Sequence, residues 1–138
     1  MKKFTYITTF ALGMLMLLGL QMQVFAQAAM EPKSEIAAIN KAIAAGDAEA
    51  LGAYLNTSVD VTLPSADKVF SSQQATFVLK DFFQDQGVKD FEVMHTGKSG
   101  ITYYSTGYLT TGKGEFDTTF FLKKFGDKYL ITQIRFEN

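Results

Sequence analysis

Residues 88–137 read as a series of short strands separated by glycine turns, and this pattern constrains the fold more than any other feature. β-Branched and aromatic residues are frequent in it, which favours extended structure. The predicted strands are 88–97, 101–112, 115–125 and 128–137. The turns contain Gly97 and Gly100, Gly112 and Gly114, and Gly126 with Asp127. Strands joined by such short turns form an antiparallel meander.

Before this region the hydrophobic period is that of helices. Apolar residues recur every three or four positions, which predicts a first helix capped by Ser34 and a second that begins at Asp47. A third helix is predicted at the pair of Ser71 and Gln74, whose spacing is that of a capping box. The first half of the chain is therefore largely helical.

One strand hairpin interrupts the helices. Val59, Val61 and Leu63 alternate with polar residues up to Pro64, which is typical of a half-buried strand followed by a turn and a short return strand. Helices that are segregated from a run of strands define an α+β fold. We expect a curved antiparallel sheet with the N-terminal helices packed on its concave face.

The first 26 residues have the properties of a secretory signal peptide. Lys2 and Lys3 precede the apolar run of residues 10–20, and Val24-Phe25-Ala26 suits a cleavage site. That run of 11 residues is shorter than the roughly 20 residues that a membrane span requires, although an uncleaved anchor helix is the alternative. We expect a signal peptide that is removed (1–26), a flexible lead-in (27–33) and a single domain (34–138), located in the periplasm or outside the cell.

Composition excludes several classes of function. The chain has no cysteine, hence no disulfides and no thiol chemistry, and a lone histidine with scattered carboxylates is a poor metal site. We expect no cofactor and no metal. Loss of Lys2 and Lys3 leaves 11 basic and 14 acidic side chains, a net charge of −3. Because the basic residues are scattered along the sequence, we expect neither nucleic acid nor, after cleavage, a membrane as a partner.

Three segments carry a resemblance to a known family. They are "QATFVLKDFFQDQ", "GYLTTGKGEFDTTFFLKK" and "GDKYLITQIRFEN". Together with the order of helices and strands, they resemble an uncharacterised family of small secreted bacterial proteins with the nuclear-transport-factor-2-like fold, a cystatin-like cone. The resemblance covers residues 33–138 and implies the fold and the compartment. Its motifs are core aromatics and glycine turns, so it implies no catalytic residue.

The segment "FEVMHTGKSG" holds the only histidine and the tail of a phosphate-loop motif. A phosphate loop needs a glycine five positions before Gly97, where Glu92 stands, and it must lead into a helix rather than a strand. We therefore interpret residues 97–100 as a hairpin turn. By alternation, His95 shares a face with Phe91 and Val93, which we expect to be the face towards the helices.

We favour a structural interpretation of His95, as a residue that donates one hydrogen bond and fills space. Two functional uses of the concave face are the alternatives. In one, Tyr54, Phe83, His95 and Tyr103 line a site at the cone mouth for a small apolar ligand. In the other, His95 and Asp60 form the acid–base pair of an enzyme like the cone-fold isomerases and dehydratases. The second requires that strand curvature turn Asp60 inward, since its neighbours Val59 and Val61 are expected in the core.

The opposite face of the sheet carries more apolar side chains than a solvated face should. By alternation we place Tyr104, Tyr108, Phe121 and Tyr129 there, with Ile131, and we place Leu130 in the core. A second copy of the chain is the expected cover, because two-fold homodimers are the commonest oligomers. The alternative is a monomer with scattered exposed aromatic residues, since protein surfaces are always partly apolar. The sequence thus favours a secreted, non-catalytic domain that binds an apolar ligand or a protein partner through the cone mouth or the outer face of its sheet.

Overall fold

The computed structural model describes residues 31–138, so the predicted signal peptide lies outside the described residues. The helices are α1 (Lys33–Ala45), α2 (Ala48–Gly52) and α3 (Ser72–Gln86). The strands are β1 (Leu55–Leu63), β2 (Ala66–Ser71), β3 (Val88–Ser99), β4 (Thr102–Thr111), β5 (Gly114–Phe125) and β6 (Lys128–Glu137). Their order along the chain is the predicted one.

The starts of the helices match the sequence signals at two of three positions. The side chain of Asp47 caps α2, and Ser71 and Gln74 form the predicted capping box of α3. The prediction for Ser34 was wrong, because α1 begins two residues earlier, at Lys33, and Pro32 takes the cap position without a side-chain bond. Proline suits the start of a helix because its fixed φ is close to the helical value and the missing amide hydrogen is not needed there.

The six strands form one sheet in the order β2-β1-β6-β5-β4-β3. Strands β3 to β6 make the predicted antiparallel meander. The sequence did not predict that β1 pairs with β6 in parallel, so the sheet is mixed. A parallel pair needs a long connection, and here the connection includes α3 and the whole meander.

The helices cover one side of the sheet, which we call the inner face; the other side is the outer face. Most of the core lies between α3, α1 and the inner face. The ring of Phe82 lies 5.3 Å from that of Phe116 and 5.1 Å from that of Phe136, and Phe83 meets Phe136 edge to face at 5.7 Å. Side chains therefore fill this part of the cone.

Strand β3 contains a β-bulge at Met94. Val93 pairs with Gly107 and His95 pairs with Thr106, so Met94 has no residue opposite it on β4. One extra residue reverses the side to which every later side chain of the strand points. His95 consequently lies on the outer face, and its predicted place beside Phe91 on the helix-covered face was wrong.

Strand β6 contains a second bulge, at Thr132, between the residues that pair with β5 at Gln133 and Ile131. Both Ile131 and Ile134 are fully buried on the inner face, although they are three positions apart. The prediction of Ile131 on the outer face and Leu130 in the core was therefore wrong. Within residues 31–138, no helix has the length and apolar character needed to cross a membrane.

Candidate functional site

Three predicted ligand-binding residues lie on the inner face, and the core accounts for all three. Phe83 is buried against Phe136. Tyr54 and Tyr103 are half-buried and pack against the core at its edge. The backbone oxygen of Tyr54 also accepts a hydrogen bond of 2.7 Å from the amide of Ile131, which joins the end of α2 to β6. These three side chains therefore pack in or against the core.

The fourth predicted ligand-binding residue, His95, is on the other side of the sheet. It is exposed, and its Nε2 lies 3.2 Å from the hydroxyl oxygen of Tyr104 on β4. The two rings are 5.6 Å apart and tilted. The structure thus brings His95 together with a residue predicted for the outer face.

Asp60 lies on the outer face, as its alternation with Val59 and Val61 predicts, because both valines are fully buried. His95 is on that face too, but four strand spacings separate β1 from β3 in the sheet. At about 4.8 Å per spacing, the two residues are roughly 19 Å apart. The hypothesis of an acid–base pair was therefore wrong. Within residues 31–138, no three His, Cys, Asp or Glu side chains are placed to hold a metal ion together.

Tyr129, predicted for the outer face, lies on the inner side instead. Its ring packs against the core and meets that of Tyr103 edge to face at 5.6 Å. The bulge at Thr132 causes this exchange, since it reverses the alternation of β6 before that point. Partial burial, followed by the neighbouring phenol of Tyr103, raises the pKa of Tyr129 above its ordinary value.

The other three predicted residues do share the outer face. Tyr104 and Phe121 are directly opposite each other on β4 and β5, with ring centroids 6.4 Å apart. Tyr108 lies further along β4 on the same side and is 39% exposed. With His95 these residues form what we call the outer aromatic patch: His95, Tyr104, Tyr108 and Phe121.

A glycine positions the centre of this patch. Gly97 on β3 is paired with Tyr104, and the tyrosine ring lies across it. A Cβ atom at position 97 would come within 2.7 Å of the tyrosine Cζ. The ring therefore occupies the space that a side chain would take, which brings its hydroxyl to His95 two residues earlier on β3.

Two shallow grooves flank the patch. One, with a volume of about 340 Å³, lies beside Tyr104 and Phe121 and is otherwise lined by polar side chains of β4, β5 and β6 and by Ser99. The other, of about 240 Å³, runs beside Tyr108 and reaches Met94. The outer face thus has aromatic side chains at its centre and polar side chains around them.

The phosphate-loop motif has no counterpart in the structure. Gly97, Lys98 and Ser99 belong to β3, and the turn that follows at Gly100 leads into β4 rather than into a helix. Gly100 has a positive φ of 61°. The interpretation of this segment as part of a hairpin is confirmed, but the turn was placed too early, because β3 continues to Ser99 and only residues 100–101 form the turn.

The sequence carries a signal for each of these two bulges. Val93 and Met94 are consecutive apolar residues on β3, and Ile131 and Ile134 are three positions apart on β6. Neither spacing fits a period of two. Each therefore indicates an irregularity, and the irregularities decide the faces of His95 and Tyr129.

Comparison with known proteins identifies the family. Residues 36–137 match the family described as "Domain of unknown function (DUF4783)". The chain belongs to this family. It is similar to a DUF4783 protein from Bacteroides ovatus, with 31% identity over 74% of this chain and 93% of that one and a TM-score of 0.71. A DUF4783 protein from Bacteroides fragilis is also similar, with 31% identity over 73% and 95% and a TM-score of 0.69.

A more distant structure shows the fold. An NTF2-like protein of unknown function from Cytophaga hutchinsonii superimposes with a TM-score of 0.57 at 10% identity, over 80% of this chain and 91% of that one. The predicted fold class, an α+β cone with a curved sheet, and the predicted resemblance are confirmed. Among curated proteins, none matches the sequence of this chain.

Proposed function

We propose that this DUF4783 domain is an exported, non-catalytic binding module whose outer sheet face associates with a second copy of the chain. The observation that carries the proposal is the outer aromatic patch, since Tyr104 and Phe121 form a contact on the face that no helix within residues 31–138 covers. Tyrosine and phenylalanine are enriched in the buried centres of protein interfaces. A sheet face that carries apolar side chains is favoured to pack against another apolar surface, such as the same face of a second copy.

The surroundings of the patch support an interface rather than a ligand pocket. Thr106 and Thr119 lie beside the aromatic pair, and Gln133 is directly opposite Phe121 on β6. An apolar centre with a polar rim is the usual anatomy of a protein interface. Both grooves are open and shallow, whereas a small apolar ligand is usually enclosed on most sides. The interior of the cone is occupied by its own phenylalanine rings, so the cone mouth is the weaker candidate.

Self-association is favoured over an unrelated partner because it needs no further component. In a two-fold dimer each residue is used twice, so Tyr104 and Phe121 of one copy meet the same pair of the other. Aromatic contacts of this kind contribute about 0.5–1.5 kcal/mol each beyond the area that they bury. A patch of four rings, doubled by symmetry, is then the centre of the interface.

Sedimentation equilibrium over a range of concentrations tests this proposal. We expect a reversible dimer for the wild-type chain and a monomer for Phe121→Lys, which places a charge at the centre of the interface. Phe77→Lys is the matched control, because Phe77 is 64% exposed on α3 and lies on the other side of the sheet. Thermal unfolding followed by circular dichroism establishes that both variants are folded.

A wild-type chain that stays monomeric at high concentration contradicts the proposal, as does a dimer that Phe121→Lys leaves intact. Native mass spectrometry of the purified protein tests the remaining alternative, a small apolar ligand bound in the cone. A small molecule retained by a monomer would place the binding function in the cone instead.

A further inference from the structure

Two turns meet at one end of the sheet. The β3–β4 turn at residues 100–101 and the β5–β6 turn at residues 126–127 close the same end of the meander, because Tyr103 pairs with Leu122 and Phe125 pairs with Lys128. The β4–β5 turn closes the opposite end. We call the first of these ends the turn end.

Each turn presents an apolar side chain to solvent. Ile101 is 78% exposed, the largest exposed fraction of any large apolar side chain in residues 31–138. Phe125 is 42% exposed beside the second turn. A single exposed apolar residue needs no explanation, but two at the tips of neighbouring turns form a shared projection.

Lysines surround this projection. They are Lys98, Lys123, Lys124 and Lys128. Lys98 and Lys124 lie with their Nζ atoms 5.2 Å and 5.9 Å from the ring centroids of Tyr103 and Tyr129, so they border the inner face. Asp127 is the one acidic residue in the two turns, and Glu35 on α1 is close enough to influence Tyr129.

The charge at the turn end contrasts with that of the rest of the sheet. The strand register places Asp90, Glu92, Glu115, Asp117 and Glu137 towards the other end, where Lys89, Lys113 and Arg135 partly balance them. The chain as a whole is net negative. At the turn end the four lysines outnumber Asp127 and Glu35, so the fold makes this end net positive, which sequence spacing alone does not indicate.

We propose that the turn end docks on a membrane surface through anionic lipid headgroups, with Ile101 and Phe125 entering the interfacial layer. Lysines next to apolar side chains combine attraction to anionic lipid with burial of apolar area, and the two contributions add. Helix α1 starts near this end, since its first turn carries Glu35, which influences Tyr129.

The geometry favours a lipid surface over an acidic protein. The two apolar side chains project beside turns, and neither of them lines either groove of the outer face. Lysine offers a mobile point charge, whereas the planar fork of arginine is the usual choice for fixed carboxylate geometry. A fluid layer of headgroups accepts such a surface without a fixed complement.

Co-sedimentation with vesicles tests the proposal on the protein purified after export, with its intact mass recorded. We expect binding to vesicles that contain phosphatidylglycerol and much weaker binding to phosphatidylcholine alone, with a decrease at high salt because surface charges are screened. Replacing Lys98, Lys124 and Lys128 by Gln should lower the partition coefficient by about tenfold or more. Lys123 is kept, because it lines the groove of the outer face.

Matched variants separate the surface from the total charge. Lys41, Lys80 and Lys89→Gln changes the charge equally but on other parts of the domain, and it should bind as the wild type does. Ile101→Ser with Phe125→Ser should weaken binding, while Phe77→Ser should not. Equal losses in both lysine variants, or binding that ignores lipid charge, overturn the proposal. So does a chain that binds no vesicle but binds a soluble polyglutamate, since the recognised surface is then an acidic polypeptide.

This test is independent of the proposed dimer. Phe121→Lys removes the dimer contact and leaves the turn end unchanged, so vesicle binding of that variant is expected to persist. Loss of dimerisation in the lysine variants is not expected. The proposed dimer and the proposed lipid surface can therefore be contradicted independently of each other.

Discussion

The inner and outer faces of the sheet carry aromatic residues that are neighbours in sequence. Phe120 and Phe121 follow each other on β5, and Tyr103 and Tyr104 follow each other on β4. The first of each pair faces the helices and the second faces away from them. Phe120 is fully buried, whereas Phe121 touches Tyr104 and borders an open groove. The same residue type thus stabilises the fold on one face and remains available for contact on the other.

This difference shows that an aromatic ring belongs to the core only where a helix packs over it as well as the neighbouring strands. Being aromatic does not by itself place a residue in the core of this sheet. An inner ring contacts both its strand neighbours and a helix, so removing it leaves a cavity that the helix cannot fully close. An outer ring contacts only its strand neighbours. Substitutions at matched positions on the two faces should therefore differ in size in a predictable way.

The largest difference is expected between Phe120→Ala and Phe121→Ala. Phe120→Ala should lower the free energy of unfolding by about 3–5 kcal/mol, because it removes a fully buried ring. Phe121→Ala should cost about 1 kcal/mol or less, as surface substitutions usually do. Urea denaturation at low protein concentration, where association does not contribute, measures both. Equal losses would show that the outer face is already part of the folding core.

A smaller difference is expected between two glycines that lie under aromatic rings. A Cβ at Gly107 would meet the carbonyl oxygen of Glu92 and the ring of Phe91, whereas one at Gly97 would meet the ring of Tyr104. The backbone at Glu92 cannot move aside as easily as the ring of Tyr104 can. Gly107→Ala should therefore cost about 1–3 kcal/mol or more, as overpacking does, and Gly97→Ala should cost less.

The double variant Gly97→Ala with Tyr104→Ala is the control for this comparison. With the ring removed, the alanine at position 97 should no longer destabilise the protein relative to Tyr104→Ala alone. A persistent cost would place the strain in the backbone of β3 rather than in the contact with the ring. Thermal or urea unfolding of the four proteins completes the cycle.

The smallest effect is expected in the pH dependence of stability. The raised pKa of Tyr129 means that the folded chain keeps a proton which the unfolded chain releases at about pH 10. Stability is therefore unaffected below that pH and falls as the pH rises from about 10 towards the folded-state pKa. Tyr129→Phe should make this fall shallower. Urea denaturation at a series of alkaline pH values is the measurement, and a fall as steep in Tyr129→Phe as in the wild type would contradict the assignment.

The sequence was sufficient for the elements and for most of the core. Alternation placed Val59 and Val61 inward and Asp60 outward, and the capping box fixed the start of α3 at Ser71. These signals are local, so each one can be recognised within a few residues. The parallel pairing of β1 with β6 depends on contacts between residues that are far apart in sequence, and no local signal specifies it.

The candidate site was less predictable because it depends on single-residue irregularities. One unpaired residue, Met94, moves His95 to the outer face, and another, Thr132, moves Tyr129 to the inner one. When a strand contains one extra residue, a prediction based on strict alternation assigns every later residue to the wrong face. Tyr104, Tyr108 and Phe121 were placed on the correct face because β4 and the corresponding part of β5 contain no bulge before them.

The central position of β6 has a consequence for how the chain acquires its structure. This strand separates β1 from β5, so the hairpin of β1 and β2 has no neighbour in the sheet until β6 joins it. A nascent chain in which β6 has not yet been made then holds two disconnected pieces of sheet, and joining them requires pairing between strands that are far apart in sequence. The sheet can therefore become continuous only after β6 has been synthesised.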